Sequence, residues 1–289
     1  MRILRHLTTD NKSPPPAASS STHQVPAEKP QQPPPPQHPP VQHPPPEYPQ
    51  PHPTSSYADP NRPVAPTYAA LHLARSDRVR LIGFPSTVIQ PVHDAIFRSW
   101  ALGIQKESTF DPVSYEFKLG GNPWYGQGEQ AVPSRRLVSH LLACLSSQGW
   151  HLASAVDLSR KGYDKDTLLF RSGPPISRQV FSVSFNQGDK VRIIDPPNEQ
   201  VRDAFFGSVS SWPAGIQSQA LKEPGAWQVK LRGYPWYTSS GSEVNHARIL
   251  ACNILAALDG LGWELVGSVD ISQGGEGQDL DSWFFGQKI

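Results

Sequence analysis

The 289-residue chain is close to electrical neutrality, with 26 basic and 25 acidic side chains and a formal net charge of +1. This balance argues against the broad basic face that nucleic-acid binding needs, and no apolar run approaches the roughly 18 residues that span a bilayer. Of the 32 prolines, 20 lie in the first 66 residues, whereas all 8 tryptophans follow residue 99. We therefore expect a disordered Pro/Gln/Ser-rich tail over residues 1–75, because such a segment buries too little apolar surface to fold.

The tail contains one candidate partner motif. Pro45, Pro46 and Tyr48 form a P-P-x-Y tetrapeptide with Glu47, which resembles the ligands of WW domains. A polyproline II segment is already extended before it docks, and the tyrosine adds an anchor. The motif predicts recruitment of a WW-domain protein, for example a ubiquitin ligase that recognises P-P-x-Y. Two alternatives remain: a chance match within a proline-rich spacer, or binding of the poly-Pro run at 33–36 to SH3 or profilin-like surfaces.

The remainder of the chain is an internal duplication. The stretch "YEFKLGGNPW" from Tyr115 returns as "WQVKLRGYPW" from Trp227, and "VRLI" returns as "VRII" at the same offset of 112 residues. Each copy has the size of a small domain and is too long for a solenoid repeat. We therefore predict two tandem α+β domains, over residues 76–175 and 180–289.

Hydrophobic periodicity predicts the order β-α-β-α-β-β in each copy. In the first copy this means a strand over 79–84, a helix over 88–100, a strand over 115–119, a helix that stops at Gly149, and strands over 150–156 and 167–170. The last strand is continuously apolar, as in a strand covered on both faces. The pattern favours an α+β fold in which helices cover a mixed sheet.

The Pro-Trp turns at Pro123-Trp124 and Pro235-Trp236 admit two interpretations. A tryptophan beside a proline presents a stiff amphipathic surface, which suits a ligand platform. The same pair also suits a structural corner whose indole fills the base of its own sheet. Because both copies keep the turn together with its neighbouring glycine, the structural corner is the simpler interpretation.

Four polar positions are kept in both copies, and burial of apolar surface does not explain them. They are Lys118/Lys230, Arg135/Arg248, Asp157/Asp270 and Asp166/Asp281. The two arginines fall near the start of the second helix, where a cation opposes the helix dipole. We expect compensation from an aspartate such as Asp166 or Asp281, with a bound anion as the alternative.

No motif identifies a reaction. No histidine is shared between the aligned copies, and the sequence contains neither a metal-ligand spacing nor a nucleotide-binding or nucleophile-elbow motif. The sequence therefore predicts no cofactor, no metal and no catalytic residue. An active site present in only one copy remains an alternative.

The segments "EFKLGGNPW", "SRRLVSHLLACLSSQGW" and "DKDTLLF" resemble a family of uncharacterised fungal and other eukaryotic proteins. The resemblance covers the repeats and not the tail. It implies a tandemly repeated α+β domain, and it implies no substrate and no catalytic residue.

These observations favour a non-enzymatic cytosolic adaptor, with the nucleus as a second compartment. Its tail would recruit the WW-domain partner and its repeats would bind a second, unknown protein; two cysteines in the whole chain suit a reducing compartment. The first alternative is a module that binds a small ligand or anion in a groove between the repeats, through Lys118, Arg135, Lys230 and Arg248. An enzyme with a single asymmetric site is the third hypothesis.

Overall fold

The computed structural model describes residues 66–158, 165–239, 241–271 and 280–289. Within these residues the chain forms two repeats with the element order β-β-α-β-β-α-β-β. The first repeat contains β1 (Tyr68–Ala74), β2 (Arg78–Ile82), α1 (Ile89–Ser99), β3 (Ile104–Asp111), β4 (Ser114–Leu119), α2 (Ala131–Ser147), β5 (Trp150–Val156) and β6 (Thr167–Ser172). The second contains β7 (Val180–Asn186), β8 (Lys190–Ile194), α3 (Glu199–Val209), β9 (Ile216–Glu223), β10 (Ala226–Leu231), α4 (Ser242–Asp259), β11 (Trp263–Val269) and β12 (Ser282–Gln287).

Each repeat builds one six-stranded sheet. Sheet 1 has the strand order β3-β4-β2-β1-β6-β5, and sheet 2 repeats it as β9-β10-β8-β7-β12-β11. The α+β class and the tandem duplication are therefore confirmed. The predicted mixed sheet is wrong, because all hydrogen-bonded neighbours are antiparallel. Three of the five pairings in each sheet join consecutive strands, and a short connection between adjacent strands produces an antiparallel pair.

Two strands per repeat escape the periodicity analysis, so the predicted order lacks β1, β3 and their counterparts. β1 lies inside the predicted tail, and the first domain therefore begins before residue 76. Its alternating buried positions include the small Ala69, which weakens the apolar signal. β3 is polar and exposed along nearly its whole length, so backbone pairing with β4 rather than an apolar face holds it in place. The rest of the predicted tail, residues 1–65, lies outside the described residues.

Helix α2 is the central element because it is covered on two sides. Leu137, Leu141 and Leu145 join the core formed with sheet 1. The opposite side of the helix contacts β7, β8 and β12 of sheet 2; for example, Val132 clusters there with Ile194 of β8. The first repeat thus docks its second helix onto the outer face of the second repeat's sheet, while α3 and α4 cover the inner face.

The outer faces of the two sheets are equivalent in register but differ in chemistry. In sheet 1 this face carries an ion-pair network in which Arg78 and Arg80 both contact Glu116. In sheet 2 the same face lies under α2 and presents mainly small or neutral side chains such as Ser182 and Ser184. The same face is therefore charged in the first repeat and largely uncharged in the second.

Polar contacts join the repeats at more than one place. Arg136 of α2 contacts Asp195, which follows β8, and Glu223 of β9 at nitrogen–oxygen distances of 2.6 and 2.9 Å. At the edge of the sheets, where β5 and β11 lie side by side, the backbone N–H of Asp270 donates to Oδ2 of Asp166 at 2.8 Å. Both sets involve side chains whose repeat counterparts differ in environment, so the interface is not symmetric.

Candidate functional site

Strand β8 carries a buried arginine on the outer face of sheet 2, beneath α2. Arg192, in β8, is only 6% exposed. Its Nε donates to Oε1 of Gln228 at 2.9 Å, and its Nη1 donates to Oδ1 of Asn186 at 3.0 Å. Both acceptors are neutral amides, and among the described residues Arg192 forms no ion pair and its Nη2 has no hydrogen-bond acceptor. A buried guanidinium without a carboxylate in direct contact is costly, so this residue calls for a specific explanation.

The first repeat shows what the duplicated unit does when the charge is balanced. Arg80 is the counterpart of Arg192, and it lies across the β2–β4 pair from Glu116. Nε of Arg80 donates to Oε2 of Glu116 at 3.0 Å. Gln228 occupies the place of Glu116 in the second repeat and faces Arg192 in the same register. The second repeat has therefore kept the arginine and replaced its carboxylate with an amide, on the face that α2 covers.

A cavity of about 230 Å³ lies beside Arg192, between the repeats. The first repeat contributes the loop Gly126–Gly128 and the first turn of α2, and the second contributes the β7–β8 turn and Tyr237. The residues around the cavity are Gly126, Gln127, Gly128, Ala131, Arg135, Phe185, Asn186, Gln187, Arg192 and Tyr237. With two arginines and three amide side chains, this lining is polar and cationic.

Arg135 brings a second guanidinium to the cavity. It is 2% exposed; its Nε donates to Oγ of Ser282 at 2.9 Å, and its Nη1 donates to the carbonyl oxygen of Gly126. These bonds hold the side chain beside the first turn of α2, which has no side-chain cap and no acidic residue. The positive end of the helix dipole therefore adds to the potential at the cavity.

The pKa values of Glu116 and Arg192 reflect the difference between the paired charges of the first repeat and the buried arginine of the second. Burial alone would raise the pKa of Glu116, but hydrogen bonds from Arg80 and Arg78 outweigh it and hold the pKa below its ordinary value. Burial lowers the pKa of Arg192, and attraction to Glu223 opposes this only in part. Arginine nevertheless stays protonated in proteins. The cavity between the repeats thus faces a permanent positive charge that burial destabilises.

Of the four cations predicted to line a groove between the repeats, Arg135 alone lines this cavity. Lys118 lies on the outer face of sheet 1, paired in register with Arg78. Nζ of Lys230 lies 3.6 Å from Oδ2 of Asp189 within the second repeat. Arg248 is exposed and lines a different cavity of about 390 Å³, beside Trp236 and Trp283. The predicted set is therefore not assembled in one place.

The predicted link between the helix arginines and the duplicated aspartates is also wrong for the described residues. Asp166 accepts from the backbone of Asp270, and Asp281 accepts from Oγ of Ser268 at 2.8 Å. Arg135 instead donates to a serine hydroxyl and to backbone carbonyls. Among the described residues, these hydrogen bonds rather than an ion pair with Asp166 or Asp281 hold the Arg135 side chain.

The Pro-Trp turns divide between the two interpretations. Trp124 is fully buried, and its Nε1 donates to the carbonyl oxygen of Arg78 at 2.7 Å, as a structural corner requires. Trp236 makes the corresponding bond to Lys190 at 3.1 Å but is only partly buried. The corner is therefore common to both repeats, whereas contact with a cavity belongs to the second.

Arg192, Gln228 and Tyr237 were not predicted as site residues, although the sequence carries a signal for the first two. The repeated "VRLI" and "VRII" keep an arginine, whereas "YEFKL" and "WQVKL" exchange a glutamate for a glutamine. Only pairing of the two strands shows that these positions face each other. Among the described residues, no group of three or more His, Cys, Asp and Glu could hold a metal ion.

The fold and the cavity define a protein made of two covalently joined α+β repeats with a cationic site at their interface. The model of one domain family, of uncharacterised kind, matches this chain twice, over residues 67–171 and 179–286. The chain therefore belongs to this family of repeated domains. No curated protein and no solved structure matches it. None of the described helices is both long and apolar enough to cross a membrane.

Proposed function

We propose that the protein is a binding module that holds a small anion in the cavity between its repeats. The observation that carries this proposal is Arg192, a buried arginine held by amide oxygens where the other repeat supplies a carboxylate. A bound carboxylate or phosphate would provide the missing charge. Guanidinium groups suit these anions because their planar donors match two oxygens at once.

The surroundings of Arg192 favour a bound ligand over burial of the arginine without a binding role. Nη2 is the nitrogen left to donate once Gln228 and Asn186 have engaged Nε and Nη1. Arg135 and the uncapped start of α2 add positive potential to the same cavity. Because both repeats line the site, a bound anion would also hold them together.

The test compares thermal unfolding of the full chain in phosphate and in chloride at matched ionic strength. We expect phosphate to raise the midpoint of the wild-type protein in a saturable manner, because a ligand that binds only the folded state stabilises it. Gln228→Glu restores the charge pairing of the first repeat. This variant should be more stable than wild type without phosphate and should lose the phosphate response.

Glu116→Gln provides the matched control, since it makes the opposite exchange at the equivalent position outside the cavity. It should lose stability and keep the full phosphate response. Phosphate also stabilises proteins through exclusion from their surfaces, but that effect would be the same in all variants. An equal phosphate response in wild type and Gln228→Glu would overturn the proposal.

A second candidate function is the cytosolic or nuclear adaptor, which the P-P-x-Y sequence at Pro45, Pro46 and Tyr48 favours. The segment lies outside the described residues, so the motif alone supports this role. Capture of WW-domain proteins from lysate by the full chain, and their loss with Tyr48→Ala, would support it. An unchanged set of partners would show that the motif is a product of proline-rich composition.

A further inference from the structure

The shape of the cavity suggests more than a simple inorganic ion. We propose that the ligand is an anion carried on a planar ring, with its carboxylate or phosphate at Arg192 and its ring against Tyr237. This inference rests on the proposed function, since it names the class of anion that the same site would take.

Tyr237 offers an unusually open aromatic surface at the cavity. It is 68% exposed, although its ring is held in place by the β7–β8 turn. A methyl group added at Gly188 would lie only 2.6 Å from Cδ2 of Tyr237, which shows how closely the ring packs on that backbone. A ring that is both fixed and exposed is well suited to stacking, because little conformational entropy is lost on binding.

The wall that the first repeat contributes includes two glycines, which add no side chain of their own. Gly126 and Gly128 both have a φ of 59°, a left-handed conformation that favours glycine. A methyl group added at Gly128 would meet no heavy atom within 4 Å. The cavity therefore combines open space beside the glycine backbone, an aromatic face and a cationic floor, and a flat ring with one anionic substituent matches all three.

Calorimetric titration of the full chain with inorganic phosphate, phenyl phosphate and benzoate tests the inference. We expect the ring-bearing anions to bind about tenfold more tightly than inorganic phosphate, as one aromatic stacking contact would provide. The preference between phenyl phosphate and benzoate then identifies the anionic group. Tyr237→Ala should abolish the advantage of the ring and leave phosphate affinity unchanged, whereas Tyr237→Phe should preserve it.

Tyr125→Ala is the matched control, because Tyr125 is the exposed counterpart of Tyr237 in the first repeat and does not line the cavity. It should leave all three affinities unchanged. If inorganic phosphate binds as tightly as the two ring-bearing anions, the inference fails while the anion site stands. If none of the three binds, the anion site and the inference fail together.

Discussion

Arg136 of helix α2 donates to both carboxylate oxygens of Asp195, through Nε at 2.6 Å and Nη2 at 2.9 Å. The bidentate pair joins the second helix of the first repeat to the end of β8 in the second. Asp195 itself adopts a left-handed conformation, with a φ of 52°, and its backbone N–H donates to the carbonyl oxygen of Gly225 at 2.7 Å. The contact is thus built into a tight corner, and it orients the helix that carries Arg135.

Arg136→Ala should weaken the interface between the repeats. Both side chains are partly exposed, at 25% and 37%, so we expect a loss of about 1 kcal/mol in the free energy of unfolding. Denaturant titration measures it, and the difference from wild type should shrink at high salt. Ile249→Ala, at the exposed counterpart position in α4, should cost less; an equal cost would show that Arg136 has no special role.

Glu116→Gln should destabilise the outer face of sheet 1 by about 2 kcal/mol at neutral pH, because two arginines lose their counter-charge. The pKa of Glu116 is held below its ordinary value of 4.5. Its contribution is therefore complete above that value and is lost as the pH falls through the lower folded-state pKa. Unfolding measured from pH 7 to pH 2 should show a shallower acid limb in the variant than in wild type.

Glu107→Gln controls for removal of a carboxylate from the neighbouring strand β3, where the side chain is exposed. This change should alter stability by no more than about 0.5 kcal/mol. A loss as large as that of Glu116→Gln would mean that net charge, rather than the pairing with Arg78 and Arg80, is responsible.

Asp166→Asn should stabilise the protein at neutral pH by about 1 kcal/mol or less. Burial raises the pKa of Asp166, repulsion from Asp281 and Asp157 adds to it, and the hydrogen bond from Asp270 opposes it only in part. The ionised form is therefore disfavoured in the folded state. Wild-type stability should fall as the pH rises above the ordinary value of 3.8 and through the raised pKa.

Asparagine keeps an oxygen that can accept the hydrogen bond from Asp270 and removes the charge. The two proteins should consequently have similar stabilities near pH 3 and diverge above pH 4 in urea titrations. A variant that is less stable than wild type at pH 7 would show that the carboxylate of Asp166 is needed for another contact.

Trp124→Phe and Trp236→Phe should differ in cost although they alter equivalent corners. Trp124 is fully buried and donates to the carbonyl oxygen of Arg78, so its replacement leaves a cavity and an unsatisfied acceptor. We expect a loss of about 3 kcal/mol there and about 1 kcal/mol at the partly exposed Trp236. Equal losses in chemical denaturation would contradict the asymmetry of the two turns.

The sequence predicted a helix or strand correctly where the hydrophobic periodicity within that element is clear. The helical spacing over 88–100 corresponds to α1, and the alternation over 115–119 corresponds to β4. β1 and β3 were missed for different reasons. In β1 the alternating apolar positions include alanines, which give a weak signal, and β3 has almost no buried face. The antiparallel pairing was not predictable either, because periodicity describes the faces of a strand and not its neighbours.

The candidate site shows the same limit at the level of side chains. Arg135 and Arg248 were predicted as site residues because both copies keep an arginine near the start of a helix. Of the two, Arg135 lines the cavity and Arg248 does not. Arg192 was visible within a repeated tetrapeptide but had no partner in the sequence to mark it. Its importance depends on Gln228, which is 36 residues away along the chain and directly opposite in the sheet.

By itself the sequence determined that an α+β unit was duplicated. Local hydrophobic periodicity and the constant offset between repeated segments can both be recognised without the tertiary packing. The tertiary structure decided that helix α2 of the first unit covers the sheet of the second. That packing buries Arg192 beside a cavity in the second repeat. Its counterpart Arg80 in the first repeat is instead paired with Glu116. Burial depends on what lies across the interface, and no local pattern in the chain encodes it.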